Sequence, residues 1–319
     1  MLTRDAVVAG PWALAGWLLM ACGGGGDAVG GGEGAWSDAG ALPPERATDG
    51  GQTDAGGASG APPDAGGPTA PVRLDASAGA APSEATILSA YHGLDALPAA
   101  VTVLCGLTSV GRVGMPVVFS QQLQGDTVVA AHFRVQTADG TLVQPTCATL
   151  RPANEPLELR TVLLAGDFGS VAAPPRAVEV TGELLTVDGN SLRGLRSEVI
   201  SPVAAGPQLV LAERFGADEP GLDGECPQGT QQIVQLTFEG GVTGPGGADL
   251  GEPQRLGVAV SLADGRTVNP TALGDDDPDN HVAVCLAEDS PAQFVTVAAG
   301  LFHDPGDDPN PETSAPITP

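Results

Sequence analysis

The chain repeats a segment of nine residues, and this repeat constrains the fold more than any other feature of the sequence. Residues 138–146, Ala-Asp-Gly-Thr-Leu-Val-Gln-Pro-Thr, return 125 positions later as residues 263–271, Ala-Asp-Gly-Arg-Thr-Val-Asn-Pro-Thr, with six identities. An apolar segment precedes each copy and a valine-rich segment follows it. Self-similarity at a fixed spacing indicates a copied structural unit. We therefore predict two similar units, residues 86–205 and 206–313.

Both units are rich in short Val- and Leu-rich segments typical of β-strands, at residues 128–135, 157–164, 177–185 and 256–262. Residues 178–181 (Val-Glu-Val-Thr) and 255–260 (Arg-Leu-Gly-Val-Ala-Val) alternate in polarity, as strands with one buried face do. Asp-Gly pairs at Asp139, Asp188 and Asp264 favour tight turns, because glycine adopts positive φ readily. Frequent proline disfavours long helices. We expect an all-β fold in which each unit is a β-sandwich.

Four motifs follow one another through the first unit. They are Val118-Phe119-Ser120, His132-Phe133-Arg134-Val135, Val178-Glu179-Val180-Thr181-Gly182 and Asp188-Gly189-Asn190-Ser191-Leu192. In this order the motifs resemble the bacterial Ig-like domain found in S-layer and other surface proteins. The second unit shares the resemblance only through the repeat. The resemblance implies two tandem Ig-like β-sandwich domains that serve spacing, cohesion or binding, with no catalytic residues.

The amino-terminal residues predict a signal peptide with a lipid-attachment site, followed by a linker. Residues 1–21 contain a short apolar stretch typical of a signal peptide, which ends in Leu19-Met20-Ala21-Cys22. This ending resembles a bacterial lipobox, and the resemblance implies a lipid anchor on Cys22 in the outer membrane, with either membrane face possible. Seventeen of residues 23–85 are Gly and seven are Pro. Because so few large apolar residues occur there, we predict that residues 22–85 form a disordered linker.

The cysteines fit an oxidising compartment. If Cys22 carries lipid, four cysteines remain of the five, at positions 105, 147, 226 and 285. Four cysteines allow three pairings. The simplest pairing places one bond in each unit, Cys105–Cys147 and Cys226–Cys285. Zinc binding is the alternative, although no Cys-x-x-Cys spacing occurs.

Charge excludes one class of partner and suggests one ligand. The 39 acidic residues outnumber 13 basic residues, all of them arginine, and this balance excludes a nucleic-acid-binding protein. Calcium prefers several oxygen ligands from flexible loops. Two acidic loops of the second unit therefore predict a calcium site, with solvated loops as the alternative. His281 and His303 adjoin these loops and offer an alternative metal site. The candidate calcium ligands are Asp275, Asp277, Asp279, Asn280, Asp304, Asp307 and Asp308.

No established catalytic motif is present in the sequence. It contains no His-Glu-x-x-His, no Gly-x-Ser-x-Gly and no phosphate-binding loop motif. We therefore expect a non-catalytic lipoprotein of the cell envelope that acts as a surface, adhesion or scaffold module towards an envelope protein or glycan. The alternatives are a calcium-dependent binding module and a secreted hydrolase of unrecognised type. Residues 314–319 are expected to form a disordered tail.

Overall fold

The computed structural model describes residues 84–92, 105–106, 111–170, 172–202, 205–222, 224–274 and 279–319. The chain divides into two units, Met1–Asp75 and Ala76–Pro319, and all described residues belong to the second. The predicted signal peptide, the predicted lipid site at Cys22, residues 22–83 of the predicted linker and the acids Asp275 and Asp277 lie outside the described residues.

The described part of the chain consists mainly of short antiparallel strands. The first half contains β1 (Ile87–Ala90), β2 (Val113–Phe119), β3 (Phe133–Gln136), β4 (Leu142–Val143), β5 (Cys147–Thr149), β6 (Thr161–Gly166), β7 (Ala177–Val180) and β8 (Arg196–Ser197). The second half contains β9 (Leu209–Gly216), β10 (Gln232–Phe238), β11 (Val258–Leu262), β12 (Thr267–Val268), β13 (Ala272–Gly274), β14 (His281–Leu286), β15 (Ala292–Val297) and β16 (Thr313–Pro316). Short helical segments in the described residues include Gly125–Thr127, Ala130–His132, Pro245–Gly247 and Glu252–Gly257. The all-β prediction is therefore confirmed.

The strands of each half form two four-stranded sheets. In the first half, sheet A has the order β1-β2-β6-β5 and sheet B the order β4-β3-β7-β8. In the second half, sheet C has the order β9-β10-β14-β13 and sheet D the order β12-β11-β15-β16. Adding eight to each strand number of the first half gives the order of the second half. The two halves therefore share one topology.

The two copies of the nine-residue segment adopt the same local structure. In each copy the aspartate side chain, Asp139 or Asp264, accepts a hydrogen bond of 3.0 Å from the backbone N–H two residues later. The glycine after this aspartate has a φ of +87° in both copies, a value that favours glycine. The final threonine, Thr146 or Thr271, donates from its N–H and its hydroxyl to one carbonyl of the neighbouring strand. The repeated sequence thus builds the same turn and the same strand edge twice.

Each half has its own apolar core between its two sheets. In the first half, Phe119 and Leu164 of sheet A meet Phe133 and Val178 of sheet B, all fully buried. The equivalent cluster of the second half contains Leu236, Phe238, Val258, Val295 and Phe302. The alternation of buried and half-buried residues along β11 shows why strands form here, since one face of each strand packs inward.

Some strands begin later than the hydrophobic pattern predicts. Residues 128–135 read as one strand-like segment, yet a 3₁₀ turn (Ala130–His132) occupies part of it and β3 begins at Phe133. Residues 157–164 behave similarly, because Leu157 has a φ of +74° and β6 begins at Thr161. The apolar residues before these strands are used in turns that precede the sheet.

The prediction of a disordered tail at residues 314–319 is wrong. Thr313–Pro316 forms β16, which pairs antiparallel with β15 at the edge of sheet D. Ala315 and Ile317 are buried, whereas their neighbours Ser314 and Pro316 are exposed. The apolar residues Ala315 and Ile317 alternate with exposed residues, which is the pattern of a strand with one buried face. Pro316 is tolerated because β16 is an edge strand.

Candidate functional site: the junction between the halves

Polar side chains bridge the two halves, and we call their meeting place the junction. Among the described residues, the side-chain hydrogen bonds and ion pairs that cross it include Tyr91–Asp304, Arg160–Glu213, Thr161–Asn280 and Ser201–Glu239. Two of the predicted calcium ligands, Asn280 and Asp304, belong to this set. Part of the predicted calcium site therefore lies at the junction.

Tyr91 is the first bridge and is completely buried. It follows β1, and its hydroxyl lies 2.6 Å from Asp304 Oδ2 and 2.5 Å from the carbonyl oxygen of Ala205. Burial, together with the hydrogen bond to Asp304, raises the pKa of Tyr91 well above its usual value. A Cβ atom at Gly240 would lie 2.5 Å from the tyrosine ring, so this position leaves room only for glycine. The aromatic ring and the hydroxyl both fix the halves against each other.

Asp304 is used as a structural anchor. Its Oδ1 accepts hydrogen bonds from the N–H groups of Gly306 (2.9 Å) and Asp308 (2.8 Å), while Oδ2 accepts from Tyr91. The residue is only 2% exposed. Both oxygens therefore hold the loop and the junction together.

Asp307 closes the same loop from its exposed side. Its Oδ1 accepts a hydrogen bond of 2.7 Å from the N–H of Gly246 and lies 2.8 Å from His303 Nδ1. These two interactions lower the pKa of the Asp307 carboxyl. The loop is thereby tied to the turn at residues 245–247.

Asn280 and Asp279 shape the turn before β14. Asn280 Nδ2 donates to Thr161 Oγ1 (3.0 Å) in the first half and to the carbonyl of Phe238 (2.8 Å) in the second. Asp279 Oδ1 accepts from the backbone N–H of His281 at 2.6 Å. These two residues therefore position the first residue of β14 at the junction.

The candidate calcium ligands do not form a ready-made cage. Within the described ranges, no group of three or more His, Cys, Asp or Glu side chains could hold a metal ion. Asn280, Asp304 and Asp307 are instead engaged in the bonds above, and Asp275 and Asp277 lie outside those ranges. Calcium binding by the acidic loops stays a prediction.

Arg160 forms an ion pair across the junction. The sequence does not predict this pair. Its Nη2 lies 2.6 Å from Glu213 Oε2, and its Nη1 donates to the carbonyl of Ser120 at 3.2 Å. The arginine side chain is 3% exposed. Burial lowers the pKa of Arg160, while Glu213 opposes this shift. Because Arg160 belongs to none of the sequence motifs, only the structure reveals this role.

Glu239 is a second buried acid at the junction. Its Oε1 accepts a hydrogen bond of 2.7 Å from Ser201 Oγ, and its own N–H donates to the carbonyl of Gln208. Burial raises the pKa of the Glu239 carboxyl, although the bond to Ser201 opposes the shift. The protonated carboxyl is therefore favoured more strongly here than in water.

A small cavity of about 20 Å³ opens at the junction. The first half contributes Glu155 and Glu158 to its lining. The second half contributes Gly221, Leu222, Glu225, Gln235, Gly274, Asp279, His281 and Ala283. The polar groups of this lining are mostly hydrogen-bond acceptors.

His281 is a buried histidine in the lining of this cavity. The residue is 4% exposed, and its Nδ1 lies 3.3 Å from Thr237 Oγ1. Burial, with a smaller effect of the Arg160 charge, lowers the pKa of His281 to about 3. The imidazole is therefore neutral at any physiological pH.

A larger cleft of about 420 Å³ lies open beside sheet B. Arg196, in its lining, donates to Gln136 Oε1 at 2.7 Å and pairs with Glu179 (3.6 Å) and Glu198 (3.3 Å). No buried polar atom without a partner is found among the described residues that line it. Opposite charges already balance each other in this cleft.

Two disulfide bonds join the expected cysteines, Cys105 to Cys147 and Cys226 to Cys285. The second cysteine of each pair comes from a different strand, β5 in the first half and β14 in the second. In the first half Cys147 is the cross-strand partner of Ala165, and in the second half Ala272 is that of Cys285. The two bonds therefore start from equivalent cross-strand residue pairs, but the cysteine lies on β5 in the first half and on the strand equivalent to β6, namely β14, in the second.

The comparisons with known proteins give no relative. No family model, curated protein or solved structure matches this chain. The resemblance to bacterial Ig-like domains consequently rests on the sequence motifs alone. In the described part of the chain, no helix has the length and apolar character needed to cross a membrane.

Proposed function

We propose that this protein is a non-catalytic lipoprotein of the cell envelope, anchored through Cys22 and acting as a scaffold or adhesion module. The anchor rests on Leu19-Met20-Ala21-Cys22, and the spacing role rests on the Gly- and Pro-rich residues 23–85. We also propose that the two halves are Ig-like domains that arose by duplication.

The observation that supports the scaffold role best is the use of the buried polar groups. Arg160, Asn280 and Asp304 bond across the junction rather than lining a substrate-sized cleft. Such groups stabilise one arrangement of the halves, because breaking a buried bond leaves an unsatisfied partner. A body of fixed shape is what a spacer or an adhesion module requires. The two disulfides suit an oxidising compartment outside the cytoplasm.

Lipid labelling of the full chain tests the anchor. Cells expressing the protein are fed an alkyne-tagged fatty acid, and the wild type is compared with Cys22→Ala and Met20→Leu. We expect the label in the wild type and in Met20→Leu, which keeps an apolar residue in the motif, but not in Cys22→Ala. Equal labelling of Cys22→Ala would contradict the anchor.

Affinity capture tests the module. The full lipidated chain, purified in detergent, is used to capture envelope components with calcium and with a chelator. Saturable capture of one envelope protein or glycan fits the proposal, and strict calcium dependence favours the calcium-dependent module. Substrate turnover in a broad hydrolase screen, abolished by changing His281 or His303, would overturn the non-catalytic assignment.

A further inference from the structure

The junction cavity is lined by two residues whose buried polar atoms find no partner among the described residues. Gln235 is 2% exposed and His281 is 4% exposed. Gln235 Oε1 and His281 Nε2 have no hydrogen-bond partner among the described residues, and both residues line the cavity. Buried polar atoms of this kind are rare in native proteins, and each calls for a specific explanation.

The tautomer of His281 determines what its second ring nitrogen offers. Nδ1 of His281 lies 3.3 Å from Thr237 Oγ1, and the tautomer of the neutral imidazole decides which of these two atoms donates. In the tautomer that carries the proton on Nδ1, Nε2 presents a lone pair to the cavity, and this is the tautomer that a bound metal ion requires. Metal-binding histidines commonly have this arrangement, in which the second ring nitrogen donates to a neighbour that fixes the ring.

The remaining lining adds negative charge from both halves. Glu155 comes from the first half and is exposed at the cavity, while the second half supplies Glu225 and Asp279. The nearby guanidinium of Arg160 is ion-paired with Glu213, although its positive charge still acts on His281. An acceptor-rich, acidic cavity favours a positively charged occupant.

Size limits the occupant to a single small ion or water molecule. The cavity volume is about 20 Å³, slightly more than one water-sized sphere occupies. A side chain or organic ligand does not fit into this space. An imidazole nitrogen among the donors favours a borderline metal ion over calcium, which prefers oxygen ligands.

We infer that this cavity binds one divalent ion of the zinc type, held by Gln235 Oε1, His281 Nε2 and the carboxylate of Glu155, with water completing the coordination. Only two of these three residues are His, Cys, Asp or Glu, so the site agrees with the absence of a three-residue cage within the described ranges. Because Glu155 belongs to the first half, the ion ties the two halves together. The inference does not depend on the lipid anchor or on the scaffold role.

Calorimetry with Zn²⁺ tests the site. The full lipidated chain is stripped with a chelator and titrated, and His281→Gln and Gln235→Met are compared with His303→Gln as the matched control. His303 also adjoins acidic residues but does not line the cavity. We expect one ion per chain, at least tenfold weaker binding in both cavity variants, unchanged binding in the control, and a Zn²⁺-dependent rise in Tm of the wild type.

Three results would overturn the inference. The first is no Zn²⁺ binding at millimolar concentration, which leaves the cavity to water. The second is binding that His303→Gln weakens and the cavity variants do not. The third is binding of Ca²⁺ in preference to Zn²⁺ with no dependence on His281, which favours the acidic loops. If His281→Gln does not fold, as judged by circular dichroism, Gln235→Met decides between these results.

Discussion

Tyr91 gives the junction a pH dependence that is simple to measure. It is the single tyrosine of the chain, and the chain has no lysine. Tyrosine is therefore the one side-chain type present whose ordinary pKa lies between about 9 and 12. Burial holds the proton on Tyr91 in the folded state, whereas the unfolded chain loses it near pH 10. Above that pH the folded state binds one more proton, so the free energy of unfolding falls as pH rises.

The size of this effect follows from one proton. Linkage gives a loss of about 1.4 kcal/mol for each pH unit above the unfolded pKa. For a body of this size, that loss lowers Tm by roughly 3–6 °C per pH unit. Tyr91→Phe removes this slope. At pH 8 the variant is also less stable by roughly 1–3 kcal/mol, since Asp304 Oδ2 stays buried without its donor.

Two measurements check this prediction on the full chain. Thermal unfolding is followed by circular dichroism from pH 8 to pH 11.5, and phenolate absorbance is titrated in native buffer and in urea. We expect ionisation near pH 10 in urea and a delayed, unfolding-coupled ionisation in native buffer. Ionisation near pH 10 in the folded protein, or an unchanged slope in Tyr91→Phe, would refute the reasoning.

Three further tests use substitutions. Chemical unfolding measures the first two, and mass mapping of disulfides checks the third. Arg160→Met should lower the free energy of unfolding by about 3 kcal/mol, because it removes a buried guanidinium and leaves the half-buried Glu213 and the Ser120 carbonyl without their donor, whereas Arg193→Met, in an exposed pair, should cost under about 1 kcal/mol. Ile317→Ser should cost roughly 2–3 kcal/mol, and no loss would support a disordered tail instead. The double variant Cys147→Ala with Ala165→Cys should form a disulfide to the original partner of Cys147, and free thiols in mass mapping would contradict the equivalence of the two cross-strand pairs.

The sequence predicts the parts of the fold that depend on local pattern. Alternating residues such as those of β11 and the Asp-Gly turns at Asp139 and Asp264 are found where the pattern places them. The predicted starts of β3 and β6 are too early, because apolar residues also occupy the turns that precede these strands. Periodicity in a sequence indicates which residues are buried on one face, and a turn that buries the same face gives the same pattern as a strand.

The junction was beyond the reach of pattern arguments. Its bridges join residues 38 to 213 positions apart, as Ser201 and Glu239 or Tyr91 and Asp304 illustrate. Such contacts depend on how two folded halves meet, and no local periodicity encodes that arrangement. The composition of the acidic loops predicts a calcium site, yet both carboxylate oxygens of Asp304 accept hydrogen bonds from within the protein. Abundant acids in a sequence do not distinguish a ligand from an anchor.

The position of β1 has a mechanical consequence. This edge strand is the first described strand of the chain, and its residues Ile87, Ser89 and Ala90 pair with β2 just before Tyr91. Tension applied from the amino-terminal side is transmitted first through this short strand and then to the tyrosine. A pull from this side would therefore load the pairing of β1 with β2 and the contact of Tyr91 with Asp304 before it reaches the strands of the second half, so the rupture force should depend on Tyr91 and its hydroxyl.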